Sequence, residues 1–201
     1  AKNSSSMLTD SVVIDSQADP LSSLGGPLRD LQEINPAHPD WWQRIAPLNV
    51  IPGLSQRPIG NDRLRVWSHR GAPYVQLDSD GWQAYPLSVD NPGRPHVLEI
   101  AYPGDVPQTL GISIVEPNAG GAVMPLGLDF GVHVPDDVEE NAGAQVHRAI
   151  FWPRTENPLV LLTNRRQQRQ AVFGKIRLYE QTGAPTPIAV RTTDEAERLT
   201  V

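Results

Sequence analysis

Five tryptophans give this 201-residue chain its most distinctive chemistry, because an indole is costly to leave in water and well suited to stacking. Trp41 and Trp42 sit side by side in His-Pro-Asp-Trp-Trp-Gln-Arg, and Trp82 precedes Tyr85 in Asp-Gly-Trp-Gln-Ala-Tyr-Pro. Trp152 follows Phe151 and leads into Pro153 and Arg154. A sugar ring offers an apolar face of C–H groups, against which an indole or phenol lies flat while polar neighbours take the hydroxyls. Arg154, with Asn164 and Arg165 beyond the next apolar run, supplies such neighbours, since guanidinium forks bind carboxylates or paired hydroxyls bidentately. These eight residues are the candidate ligand contacts. The competing role for each ring is a plug in the seam between irregular chain and a sheet. For the arginines it is a solvated hairpin paired with nearby acids. Trp67, between Val66 and Ser68, reads as a strand residue and core.

Other reactive residues are scattered. His38, His69, His96, His133 and His147 form no His-x-His or His-Glu-x-x-His pair, so no cofactor is expected. Calcium is the best metal guess, because oxygen ligands abound and cysteine is absent. Its candidate places are the acidic run Asp136, Asp137, Glu139 and Glu140, flanked by His133 and His147, and the stretch Asp78-Ser79-Asp80-Gly81. The latter lacks the closing Glu of a calcium loop and reads better as a tight hairpin turn. A glycosidase needs two carboxylates across a cleft, and Glu99, Glu116 and Asp129 are the ones beside strands. No Gly-x-Ser-x-Gly elbow, phosphate-cradling loop or dinucleotide fingerprint occurs.

The elements that must position these residues are strands. Twenty prolines and 16 glycines rarely leave a dozen residues unbroken, which a helical protein cannot tolerate at about 3 kcal/mol per interior proline. Between the breakers lie runs of β composition at 74–77, 97–102, 110–115, 148–152 and 159–163, two short pieces within 123–134, and a last strand over 172–179. Residues 27–34, with Pro27 leading and apolar side chains at 28, 31 and 34, predict two turns of helix ended by Pro36. A short helical turn is expected within 136–145. Strands at this spacing predict an all-β, two-sheet antiparallel sandwich with an irregular N-terminal extension. The expected layout is a flexible arm over 1–11, irregular chain packed on the sandwich over 12–65, the sandwich over 66–180, and an arm or linker over 181–201.

Composition narrows the partners. Seventeen basic side chains against 23 acidic ones leave a net charge of -6, which argues against a nucleic-acid surface. No run approaches the roughly 20 apolar residues of a membrane helix. The chain opens Ala-Lys-Asn-Ser-Ser-Ser without a starter Met or an apolar signal core, so the expectation is a mature form after signal removal or, favoured, a piece cut from a longer protein.

Four segments carry a family resemblance: Trp-Gln-Ala-Tyr-Pro-Leu from 82, Pro-Gly-Arg-Pro-His-Val-Leu-Glu-Ile-Ala-Tyr-Pro from 92, Leu-Gly-Ile-Ser-Ile-Val-Glu-Pro-Asn from 110, and Phe-Gly-Lys-Ile-Arg-Leu-Tyr-Glu from 173. Their strand rhythm resembles galactose-binding-like jelly-roll modules, the non-catalytic parts of large bacterial proteins, those of planctomycete type among them. The resemblance covers about half the chain and carries over no ligand contact. It implies a jelly-roll accessory module that binds carbohydrate or neighbouring domains, in an extracellular, periplasmic or cell-surface setting. The alternatives are a structural or protein-interaction domain without a sugar site and, third, a glycoside-active enzyme.

Overall fold

Successive side chains of an extended chain point to opposite faces, so a short run with alternating polarity buries one face and wets the other. The computed structural model describes residues 27–39, 58–117, 123–138, 142–164, 166 and 169–183. Among these residues it contains twelve strands and no helix. They are β1 (Leu28–Ile34), β2 (Ile59–Gly60), β3 (Leu64–His69), β4 (Ala72–Leu77), β5 (Trp82–Pro86), β6 (His96–Pro103), β7 (Gln108–Pro117), β8 (Val123–Val134), β9 (Ala144–Phe151), β10 (Leu159–Thr163), β11 (Ala171–Phe173) and β12 (Ile176–Gln181).

Two antiparallel sheets form the sandwich, one ordered β1-β12-β6-β9 and the other β2-β5-β10-β7-β8. A smaller sheet, β11-β4-β3, joins them. The alternating rows Leu98 and Ile100, Ile176 and Leu178, Leu110, Ile112 and Ile114, and Val160 and Leu162 meet in one core with Leu77, Phe151 and Phe173. Each such side chain contributes about 1.5–3 kcal/mol by leaving water. Pro27–Thr182 make one compact unit, and its ends lie side by side, the Thr182 N–H donating to the Pro27 carbonyl at 3.1 Å.

The structure corrects several local expectations. Residues 28–34 form strand β1 and not a helix. The three-residue spacing of Leu31 and Ile34 would put them on opposite faces of a regular strand. A bulge between Asp30 and Gln32 resets the alternation, and both pack against the core. The described parts of the 12–65 stretch, which was expected to be irregular, are 27–39 and 58–65. They supply β1, β2 and the start of β3, while the rest of it and most of both expected arms lie outside the described residues. Among the described residues of 136–145, where a helical turn was expected, there is a turn at Asp136 and Asp137, and 123–134 is one strand. The 172–179 run is split at Gly174 and Lys175, where the chain leaves the small sheet for the four-stranded one. Asp78 to Gly81 is not a hairpin turn, because β4 and β5 belong to different sheets. It is a corner, with Asp80 at a φ of 58°.

Carboxylates secure the sandwich from within. Glu180, 1% exposed, accepts hydrogen bonds from Arg29 and from Asn91 Nδ2 at 2.8 Å. Burial pushes its carboxyl up, but the Arg29 and Asn91 hydrogen bonds outweigh that and hold it below the usual range. Asp105 behaves alike: burial raises it, while His69 Nε2, at 2.9 Å, and the Arg70 charge bring it below the usual value. Because both folded values are depressed, the stability they contribute is present above the unfolded carboxylate range near about pH 4 and lost as pH falls through the lower folded values. Glu180→Gln is expected to flatten the acid limb of stability against pH, measured by urea unfolding at several pH values from neutral downwards. An acid limb that does not change would place the linkage elsewhere.

Candidate functional site

The corner between β4 and β5 builds the most promising site. Gly81 is required there: a Cβ on it would lie 2.7 Å from the Arg63 carbonyl oxygen and 2.8 Å from that of Asp78. Asn61 braces the corner, its Nδ2 donating to the Asp80 carbonyl at 2.8 Å and its Oδ1 accepting from the Trp82 N–H at 3.1 Å. Trp82 opens β5 opposite Thr163 of β10. Its register partners put it on the outer face of the five-stranded sheet, because Gln83 and Tyr85 share the inner row with Leu162 and Val160. There the half-buried indole walls an open cleft of about 490 Å³, lined also by Asp80, Gly81, Leu161, Thr163 and Asn164. The volume falls within the about 300–1,000 Å³ typical of small-molecule sites. An aromatic wall, an aliphatic floor at Leu161 and the Asp80 carboxylate at the rim match the C–H face and hydroxyl edge of a sugar ring.

The other expected contacts divide. Tyr85 is core, 4% exposed and edge-on to Phe173 at 6.0 Å between ring centres, and burial pushes its phenol well above the usual range. Asn164 is a brace: it is 2% exposed, and its Nδ2 donates to the carbonyls of Leu77, Asp78 and Arg169 while its Oδ1 accepts from the Arg166 N–H. Arg154 folds back on Glu116, with Nε to Oε2 at 3.1 Å, and Glu116 also accepts the backbone N–H groups of Arg154 and Thr155. Trp152 is 55% exposed just past β9, on the loop that leads to the start of β10, whereas Trp82 pairs with the end of β10. The two rings therefore stand at opposite ends of that strand and do not form one platform. Trp41, Trp42 and Arg165 lie outside the described residues. Trp67 is half-buried in a satellite cluster with Tyr74, Val106 and Val172, stacked on His69 at 4.8 Å.

Sequence reasoning did not find Thr163, Leu161 or Asn61, since only strand register and the corner bring them beside Trp82. Of the carboxylates weighed for catalysis, Glu99 belongs to the four-stranded sheet and Glu116 to the five-stranded one, and each is held by protein donors. The side chain of Asp129 is outside the described set. Among the described residues no three His, Asp or Glu side chains converge as a metal site would require. His133 meets Thr109 Oγ1 at 3.2 Å, and His147 stacks on Phe130.

No protein-family model and no curated protein sequence matches the chain. Among solved structures, it is similar to the CBM22-1 xylan-binding domain of Paenibacillus barcinonensis Xyn10C, with a TM-score of 0.50 at 10% identity over 78% of this chain and 97% of that one. The CBM22-1-CBM22-2 tandem domain of the same protein also matches, with a TM-score of 0.50 at 10% identity over 80% of this chain and 48% of that one. The chain thus shares the jelly-roll β-sandwich fold of these domains. At this identity the likeness speaks for the fold alone.

Asn164→Ala is expected to cost about 3 kcal/mol in urea unfolding, because it removes the buried amide that bridges the Leu77, Asp78 and Arg169 carbonyls at the corner. A loss within about 0.5 kcal/mol, the range of a neutral surface change, would return Asn164 to the ligand contacts.

Proposed function

We propose that this chain is a non-catalytic carbohydrate-binding module of a larger exported bacterial protein, and that it holds a glycan in the Trp82 cleft. The observation that carries the proposal is the cleft itself, an indole wall beside Leu161, Thr163 and Asp80 on the outer face of a sheet. The shared fold supports it, because one protein of that fold is a xylan-binding domain and another is a tandem of such modules. The adjacent ends of the compact unit, Pro27 and Thr182, suit a module linked to further domains.

The cleft is open, so it suits an internal stretch of a polysaccharide that can extend beyond both sides. Affinity electrophoresis against xylan first, then soluble β-glucans, galactans and mannans, tests the reading. One glycan class is expected to retard the protein, and Trp82→Ala to weaken that retardation at least about tenfold with the melting transition nearly unchanged. Repeating the gel with EDTA tests for calcium, and a loss of retardation would add a cation to the site. Retardation that survives Trp82→Ala but is lost in Trp152→Ala would move the site to the other end of β10. Silence across the panel would favour a structural or protein-interaction domain.

A further inference from the structure

A second, more enclosed cavity lies on the outside of the other sheet. Where the small sheet folds against the four-stranded one, about 260 Å³ is enclosed by Ala72, Pro73 and Tyr74 of β4, Ala101 of β6, Val146 of β9 and Gly174. These apolar walls surround a polar end formed by Glu99, Lys175, Arg177 and Asn35. Gly174 lets the Tyr74 ring approach closely: a Cβ there would press on that ring at 3.2 Å, though it would make only ordinary contact with the Ala101 Cβ at 3.5 Å. Ala101, on the outer row with Glu99, leaves room that a larger side chain would fill.

The polar end has hydrogen-bonding capacity left over. Glu99, 8% exposed, accepts from Arg148 Nε at 2.7 Å and from the Tyr179 hydroxyl at 3.3 Å, two of the roughly four lone-pair sites of a carboxylate. Lys175 Nζ and Arg177 Nε share one carboxylate, that of Glu33, at 2.7 and 2.9 Å. An ammonium carries about three N–H groups and a guanidinium about five, so donors remain on both. A buried acceptor beside surplus donors complements adjacent hydroxyls, each of which donates and accepts. The Tyr74 ring with Pro73 and Val146 complements the C–H face of the same ring.

We propose that this cavity is a second carbohydrate site, and that it takes a single pyranose ring, such as a chain end or a side branch, where the Trp82 cleft takes the run of a chain. The size decides this, since the volume is below the about 300 Å³ from which drug-sized ligand sites begin, and the cavity is more enclosed than the open cleft. The proposal rests on reading the domain as glycan-binding, but its residues are separate from those of the cleft. Two such sites on one domain would let it hold a backbone and a branch of the same polysaccharide at once.

The test is amide NMR of the full ¹⁵N-labelled chain, titrated with the methyl β-pyranosides of xylose, glucose, galactose and mannose. At least one is expected to shift the Ala101, Val146 and Gly174 amides saturably. Ala101→Phe should weaken that response at least tenfold, and Trp82→Ala should leave it unchanged. If Ala101→Phe does not fold, Val146→Trp closes the mouth from its exposed edge and serves instead. No shift at these amides with any of the four sugars, or a shift that persists in the blocked variant, overturns the proposal. The amides of Trp82, Leu161 and Thr163 report the cleft in the same spectra with xylan oligosaccharides. A response there alone sinks the second site and leaves the first, and the reverse sinks the first alone.

Discussion

One side-chain amide ties the ends of three strands together. Asn164 sits just past β10, and its two amide hydrogens are shared among the carbonyls of Leu77, Asp78 and Arg169, while its backbone N–H donates to the Gly81 carbonyl. This brace holds the corner where the chain passes from the small sheet to the five-stranded sheet. Asp78, Gly81 and Arg169 lie outside the strands, where a backbone group left buried and unpaired would be costly. The Trp82 cleft follows from that brace, because the indole is the first side chain after the corner.

Buried polar groups do similar work elsewhere in the sandwich. Gln108 donates to the Pro103 carbonyl and accepts from the Val172 N–H, so it joins the end of β6 to β11. Glu116 gathers the N–H groups of Arg154 and Thr155 and shapes the loop that carries Trp152. Glu180 gathers Arg29 and Asn91 where β1 and β12 meet the loop before β6. Apolar rows determine that two sheets pack, whereas these side chains determine how the loops leave them. Loop direction is what a binding surface depends on.

The two cavities show how one scaffold presents different shapes. A flat outer face beside a corner yields an open cleft, suited to a chain that continues past it. The crease between two sheets yields a more enclosed pocket, suited to one ring. Both have an aromatic wall and a carboxylate, so the difference lies in enclosure and in the surplus donors of Lys175 and Arg177.

Much of the architecture was legible in the chain. Period-two alternation and dense prolines and glycines indicated an antiparallel sandwich, and Leu159–Thr163 read correctly as a strand, because side-chain direction in extended chain is a local property. Trp82 suggested a ring in a loop-like setting, yet it opens strand β5. Several details were not legible. Leu28, Leu31 and Ile34 imitate a helix because a bulge changes strand periodicity without leaving a mark in residue type. Asn164 and Tyr85 looked like ligand contacts because an amide or a phenol has the same chemistry whether it faces a sugar or the protein interior. The residues of the second pocket come from positions 35 to 177 and carry no common motif. The sequence by itself determined which residues alternate and where the chain must turn. Only the tertiary structure decided which polar groups were already satisfied and which still faced open space, since hydrogen-bond satisfaction depends on neighbours far apart in the chain.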